Sequence, residues 1–271
     1  MTAPPPDAGM RVVLSALRVL EVVSELQPVG VSAIARATGI PKSSVQRCLV
    51  TLHRAGWLTT ASGEAGRWAL TGRALAIGLR GSTEQGLREA ALAVMQDLRD
   101  ETRETIHLMG FGAEHALGPD AEPDAGSALV VIDRLDSPEP VRTWVRLGTR
   151  VSLHASCSGR AVLSRLPADE VDRVLDGPLE RYSDTTLVDR DALLAELRLV
   201  CESGYATADQ SWRAGVGAVA SAVLDPDGRP VGAIAVSVPV QRFGVERAAA
   251  LGPLVVAAAE RVGAALRGEG R

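Results

Sequence analysis

Between Val31 and Leu58 the apolar residues fall into two short runs of helical spacing separated by a glycine. The first run, Ser32 to Thr38, turns Ile34, Ala35 and Ala37 inward and places Ser32 to cap its first turn; Gly39 stops it. Pro41 suits the first turn of a second helix, where its missing N–H costs nothing, and Val45, Leu49 and Leu52 recur at i, i+4 and i+7. Upstream, Val12, Ala16, Val19, Leu20, Val23 and Leu26 give one more helical stripe from Arg11 to Leu26, closed by Pro28 and Gly30. Downstream, Trp57 to Thr60 and Arg67 to Leu70 read as two strands around the turn SGEAG. Helix, helix-turn-helix and hairpin follow one another as in a winged helix-turn-helix, with Arg67 near the hairpin tip facing a phosphate backbone or a minor groove.

The spacing predicts a short helix from Thr71 to Leu79 and a longer one from Thr83 to Arg99, whose stripe is Leu87, Ala91, Val94, Met95 and Leu98. Strand patterns cover Thr105 to Phe111, Ala128 to Leu135 and Pro140 to Leu147, with a Pro/Gly/Asp-rich loop from Gly112 to Ser127. Helices are expected at Ser158–Arg165, Ala168–Leu175 and Asp191–Ser203, the last ended by Gly204. Gly217 to Leu224 and Pro230 to Pro239 flank the turn Asp225-Pro226-Asp227-Gly228, a strong hairpin signal. Ala248 to Leu266, interrupted by Pro253, Glu260 and Arg261, reads as a packed amphipathic helix. The expected fold class is α+β in two domains: a Pro-rich disordered arm over 1–9, a winged domain over 10–81, a linking helix over 82–100, and a domain over 101–271 with a mostly antiparallel sheet.

Charge adds to this division. The 271 residues carry a net charge of -4, yet residues 1–81 hold nine Lys/Arg against four Asp/Glu, leaving 20 against 29 for the rest. A positive domain joined to a negative one suits phosphate contact by the first alone. Cys48, Cys157 and Cys201 are widely spaced with no CxxC pair, which excludes a disulfide framework or zinc finger and fits a reducing cytoplasm. There is no basic-then-apolar leader and no run of about 18 uninterrupted apolar residues, so no membrane partner is expected.

Lys42, Ser43, Ser44, Gln46 and Arg47 crowd the N-terminal part of the second helix with no acid among them, where a recognition helix meets the major groove of double-stranded DNA. A solvated face is the ordinary fate of such charges. Here the small hydroxyls of Ser43 and Ser44 beside Lys42 and Arg47 let the backbone approach phosphates, which favours contact. His107, His115, His154 and Cys157 include a single close pair, H-x-x-C at 154–157, and do not add up to a metal site. Cys157 lacks a third group to orient a base, so no nucleophile and no enzyme is expected, thiol sensing being a minor alternative. Gly215-Val216-Gly217 imitates a dinucleotide fingerprint without the strand before it and helix after it, so no cofactor is implied.

With SALRVLEVV, VSAIARATGIPKSSVQRCLVTLHRAGWL, LGTRVSLHASCSGRAVLSRLP, GYATADQ and GVGAVASAVLDPDGRPVGAIAVSVP in view, the chain resembles the IclR family of transcriptional regulators from Val12 to Leu266. The resemblance implies a winged DNA-binding domain, a linker helix used in dimerisation and a GAF-like domain that binds a small-molecule metabolite effector. Its recognition helix falls on Pro41 to Gly56. Its effector pocket falls on Leu147 and Gly148, on Ser156, Cys157 and Ser158, on Asp209, and on Ala218, Ala235 and Ser237. Gln210, Ser211 and Trp212 stand where many relatives carry acids, and Ala218 and Ala235 where some carry polar residues, so a less polar pocket is implied.

The expected function is a one-component regulator, a repressor in the commoner case, acting as a dimer or dimer of dimers on an inverted-repeat operator. The competing reading is a metabolite-binding protein or enzyme whose N-terminal domain contacts protein. The fragment 1–81 separates the two: it is expected to bind DNA non-specifically with affinity that falls steeply with salt, and salt-independent retention or none at all would favour the protein-contact reading.

Overall fold

The computed structural model describes residues 8–61, 66–81, 84–111 and 129–268. Most of the expected arm, the hairpin turn at 62–65 and the loop at 112–127 with His115 lie outside them. The chain divides into two compact units, Met1–Ser82 and Thr83–Arg271.

The first unit is built from α1 (Ala8–Leu26), β1 (Val29–Gly30), α2 (Val31–Thr38), α3 (Lys42–Arg54), β2 (Leu58–Thr60), β3 (Arg67–Leu70) and α4 (Gly72–Gly81). Val19 and Val23 of α1, Ile34 of α2, and Val45 and Leu49 of α3 are completely buried around Leu58 and Trp68. Not all of the α1 stripe is core, since Val12 stays 65% and Leu26 43% exposed. The cap of α2 also differs from expectation. Gly30, not Ser32, is its N-cap, because Val29 and Gly30 pair with Trp68 and Arg67 as a third strand of the wing and the helix starts directly from that strand. Gly39 closes α2 at φ 70°, donating its N–H to Ala35 O at 3.0 Å, a left-handed cap that suits glycine. Pro41 is the N-cap of α3 and not its first turn; its carbonyl accepts from Ser44 and Val45 N–H at 2.9 and 3.0 Å.

The second unit contains α5 (Glu84–Thr102), β4 (Thr105–Phe111), β5 (Leu129–Leu135), β6 (Arg150–Val151), α6 (Cys157–Leu163), α7 (Ala168–Leu175), α8 (Arg190–Ser203), β7 (Ala206–Asp209), β8 (Val216–Leu224), β9 (Pro230–Pro239) and α9 (Val245–Leu266). Its six strands form one sheet in the order β6-β5-β4-β9-β8-β7, every pair antiparallel. Strand alternation sorts side chains by size. Ile106, Leu108, Val219, Val223, Ile234, Val236 and Val238 pack with α5 and α9, whose Leu87, Met95, Leu251, Val255 and Val262 complete that core. Ala218, Ala220, Ala233 and Ala235 point to the other face, toward α6 and α8. By length and composition α9 would also suit a membrane span, but Leu251, Val255, Ala258, Ala259 and Val262 are core, and the helix runs through Pro253 without ending.

The expected strand over Pro140–Leu147 does not form; the paired residues are Arg150 and Val151. A turn at Gly148, φ 79°, gives its N–H to Val131 O at 2.8 Å and so ends the pairing early. Side chains fix the segment instead. Arg242, in a bidentate pair with the buried Glu104 at 2.8 and 3.1 Å, also donates to Val141 O, and Arg134 donates to Val145 O at 3.1 Å.

Gly159 sits where α6 crosses the preceding turn: a Cβ there would lie 2.3 Å from Leu153 O and 2.4 Å from Ser152 O. Both are backbone atoms that cannot swing aside. Gly159→Ala is therefore expected to destabilise the second unit by about 1–3 kcal/mol. Denaturation of the full chain followed by tryptophan fluorescence checks this, and an unchanged midpoint would show that the turn yields freely.

Candidate functional site

Two places combine exposure or free space with chemistry, one in each unit. In the first, burial of Val45, Cys48, Leu49 and Leu52 leaves Lys42, Ser43, Gln46 and Arg47 exposed on the opposite side of α3, with Ser44 half-buried. Arg47 Nη2 donates to Ser44 Oγ at 3.4 Å, one turn back, so its guanidinium lies along the N-terminal half of the helix. A helix N-terminus with two cations and two hydroxyls and no acid in its first turn is matched to phosphate oxygens and base edges. Arg67 on β3 is also exposed, but it donates to Pro28 O at 2.9 Å and thereby ties the wing to the end of α1.

In the second unit the small-residue face of the sheet leaves a void of about 50 Å³, lined by His107, Met109, Val131, Val145, Val151, Ser156, Cys157, Ser158, Ala208, Trp212, Arg213, Val216, Ala218, Ala235 and Ser237. Its far wall is the start of α6. Ser156 caps that helix, accepting from Gly159 N–H at 2.9 Å while donating to Ser152 O at 2.7 Å. The buried Arg160 clamps the same turn to β7, donating to the carbonyls of His154, Ala155 and Thr207. Thr186 and Ser211 hold the opposite rim: Ser211 Oγ donates to Ala155 O at 2.7 Å and Thr186 Oγ1 to Ser211 O at 2.6 Å. Beyond it, the Arg213 guanidinium stacks over Trp212 at 4.6 Å.

Of the residues that the sequence resemblance assigned to a pocket, Ser156, Cys157, Ser158, Ala218, Ala235 and Ser237 come together on this void. Leu147, Gly148 and Asp209 do not. Leu147 is 57% exposed, and Asp209 alternates outward on β7. Ala208, the neighbour of Asp209 on β7, takes the inward position because adjacent residues of a strand face opposite ways, whereas Leu147 and Gly148 sit in the turn just past the lining residue Val145. His107 and Arg213 are lining residues that sequence reasoning did not place there. For His107 a signal existed, since a polar residue between the core positions Ile106 and Leu108 needs buried partners. His154 does not join Cys157 on the void; its ring nitrogens meet Glu180 O at 2.9 Å and Ser152 Oγ at 3.3 Å.

Among the described residues no carboxylate lines the void, while Arg213 does. His107, 2% exposed, is held neutral: burial first, then the charges of Arg134 and Arg213, lower its pKa to about 3. Burial likewise pushes the Cys157 thiol up, so it is a weak S–H donor and no thiolate. The chemistry on offer is an apolar slot with hydroxyl and guanidinium donors, suited to binding a small acceptor.

Comparison with known proteins covers both units. Residues 12–62 match the IclR helix-turn-helix domain, and residues 81–264 match the bacterial transcriptional regulator IclR C-terminal domain. The HTH-type transcriptional regulator KdgR of Escherichia coli K12 is 29% identical over 236 residues, spanning 87% of this chain and 84% of its own. The transcriptional repressor IclR of the same organism is 26% identical over 248 residues, spanning 91% and 86%. A solved structure of an IclR homologue from Microbacterium hydrocarbonoxydans, complexed with 4-hydroxybenzoate, is 25% identical with a TM-score of 0.74, covering 95% of this chain and 99% of that one.

The His107 environment has a measurable consequence for stability. In the unfolded chain the ring titrates near 6.5, whereas in the folded protein it does so near 3, so between those values only the unfolded chain takes up the proton. The effect is absent above 6.5 and destabilises the fold as pH falls toward 3, by at most about 1.4 kcal/mol per pH unit. Denaturation midpoints of wild type and His107→Asn at about pH 7 and about pH 5 should show the larger loss in wild type. Parallel losses would mean that the folded protein accepts the proton.

Proposed function

Because this chain belongs to the IclR family of bacterial transcriptional regulators, we propose that it is a one-component switch in which a small organic anion in the second unit controls operator binding by the first. It is a transcriptional regulator and not an enzyme. As a cytoplasmic dimer or dimer of dimers it grips an inverted repeat, with Lys42, Ser43, Ser44, Gln46 and Arg47 entering successive major grooves and Arg67 on the wing near the backbone. Repression is the favoured sign, as in the relative named a transcriptional repressor.

The observation that carries the ligand assignment is the lining under an alanine-rich sheet face: the Ser237 hydroxyl and the Arg213 guanidinium, with no carboxylate among the described residues, around Val131, Val145, Ala218 and Ala235. A small carboxylate with an apolar body satisfies both halves, and 4-hydroxybenzoate, held by the relative from Microbacterium hydrocarbonoxydans, is such a molecule. The void of about 50 Å³ has room for a few waters only. An aromatic acid therefore enters by moving a wall, and the liganded and empty arrangements differ, which is the unequal binding that control requires. In this reading α5, which begins at the unit boundary and packs Leu87, Met95 and Leu98 onto the sheet, carries the change toward the first unit.

The test of the DNA face is Arg47→Ala in a gel shift with the fragment upstream of the protein's own gene. Loss of about 1–3 kcal/mol of specific binding is expected if Arg47 reads a base edge, and a flatter salt slope if it touches phosphate alone. Unchanged shifts at both low and high salt would remove Arg47 from the interface.

A further inference from the structure

We infer that His107 is the specificity-determining residue of this cavity: it passes a hydrogen-bond direction from the Val145 amide to Ser237 and so commits the Ser237 hydroxyl to donate to the ligand. The inference rests on the reading of the cavity as the effector site.

The direction is fixed at one end by a group that can act in only one way. Val145 N–H lies 3.0 Å from His107 Nε2, and an amide nitrogen can only donate, so Nε2 carries the lone pair. A neutral imidazole then bears its hydrogen on Nδ1. Protonation of Nε2 would set two N–H groups against each other and bury a cation beside Arg134 and Arg213, both of which already disfavour it. Nδ1 lies 3.2 Å from Ser237 Oγ, and with the hydrogen on Nδ1 the serine oxygen is the acceptor. The Ser237 O–H is thereby barred from the imidazole and left for the occupant of the cavity that both residues line.

The geometry around the pair is built to keep it. His107 stands opposite Ala235 on β9 and Arg134 on β5, and Ser237 lies one step further along the same face as Ala235. Val145 cannot drift, because Arg134 Nη1 holds its carbonyl at 3.1 Å and Arg242 holds Val141 O upstream. The reverse tautomer would accept the serine hydrogen and show the ligand only oxygen lone pairs, repelling a carboxylate. One backbone amide, 38 residues from the ring in sequence, thus determines which ligand class the cavity takes.

A ligand-independent measurement tests the direction. In full-length protein labelled with ¹⁵N-histidine, long-range ¹H–¹⁵N correlations at about pH 7 should show Nδ1 protonated and Nε2 bare for the signal lost in His107→Asn. The opposite tautomer, or a doubly protonated ring, would overturn the proposal. Its consequence is read with 4-hydroxybenzoate as probe, by titration of tryptophan fluorescence. Ser237→Ala and His107→Leu should each weaken binding about tenfold, and the double variant no further, because both remove one hydrogen bond to the ligand. His107→Asn, which keeps a donor near the Nδ1 position, should retain most of the affinity. Additive losses, or a His107→Asn variant as weak as His107→Leu, would reduce His107 to a packing residue and overturn the proposal. If wild type shows the expected tautomer but does not bind the probe, the assignment of ligand class to the cavity fails while the hydrogen-bond direction stands.

Discussion

The second unit depends on one constraint: its central strands place large side chains on one face of the sheet and small ones on the other. Val219, Val223, Ile234, Val236 and Val238 fill the space under α5 and α9, whereas Ala218, Ala220, Ala233 and Ala235 face α6 and α8, and the small side chains of Ala218 and Ala235 leave a gap there. Close packing on the first side supplies the burial that stabilises the unit, and a gap on the second side costs the dispersion contacts that larger residues would have made. That gap is the cavity. It survives because the far wall is held at a distance by directional bonds: the Ser156 cap, the Arg160 clamp on three carbonyls, and the Ser211 link to Ala155.

The same division of labour explains the electrostatics. An apolar slot penalises any charge within it, so the one imidazole is neutral and the cations stand at or behind the lining. A small anion bound there, as proposed, would meet donors that are already oriented and no competing carboxylate among the described residues, which would lower the cost of its desolvation. The segment from Val141 to Gly148 has two surfaces with different duties. Val145 faces inward to His107, while Trp144, 50% exposed, lies between the guanidinium groups of Arg134 and Arg146 at 5.3 and 5.8 Å.

Much of this was legible in the residues. Val45, Leu49 and Leu52, read at helical spacing, are buried together, and the α5 stripe from Leu87 to Leu98 is core. Within each stripe the residues lie a turn or two apart, where periodicity speaks directly. The differences share a physical origin in phase and distance. Asp209 belongs to a strand that borders the cavity, but a resemblance identifies a segment without saying which of two alternating sides each residue takes, and Leu147 and Gly148 lie in the turn just past the lining residue Val145. The strand expected at Pro140–Leu147 finds no strand partner among the described residues, since Gly148 turns the chain there. His107 was grouped with metal-ligand candidates because its true partners, Val145 and Ser237, lie 38 and 130 residues away and only the folded sheet brings them near.

The central claim is that occupancy of the cavity and grip on the operator are coupled, and coupling is reciprocal. Fluorescence anisotropy of a labelled operator, titrated with the full chain in the absence and presence of saturating 4-hydroxybenzoate, measures it most directly. The account predicts a shift in operator affinity of about fivefold or more, with the same factor separating 4-hydroxybenzoate affinities of free and DNA-bound protein. Tight binding of the acid with identical operator affinities in both conditions would contradict it.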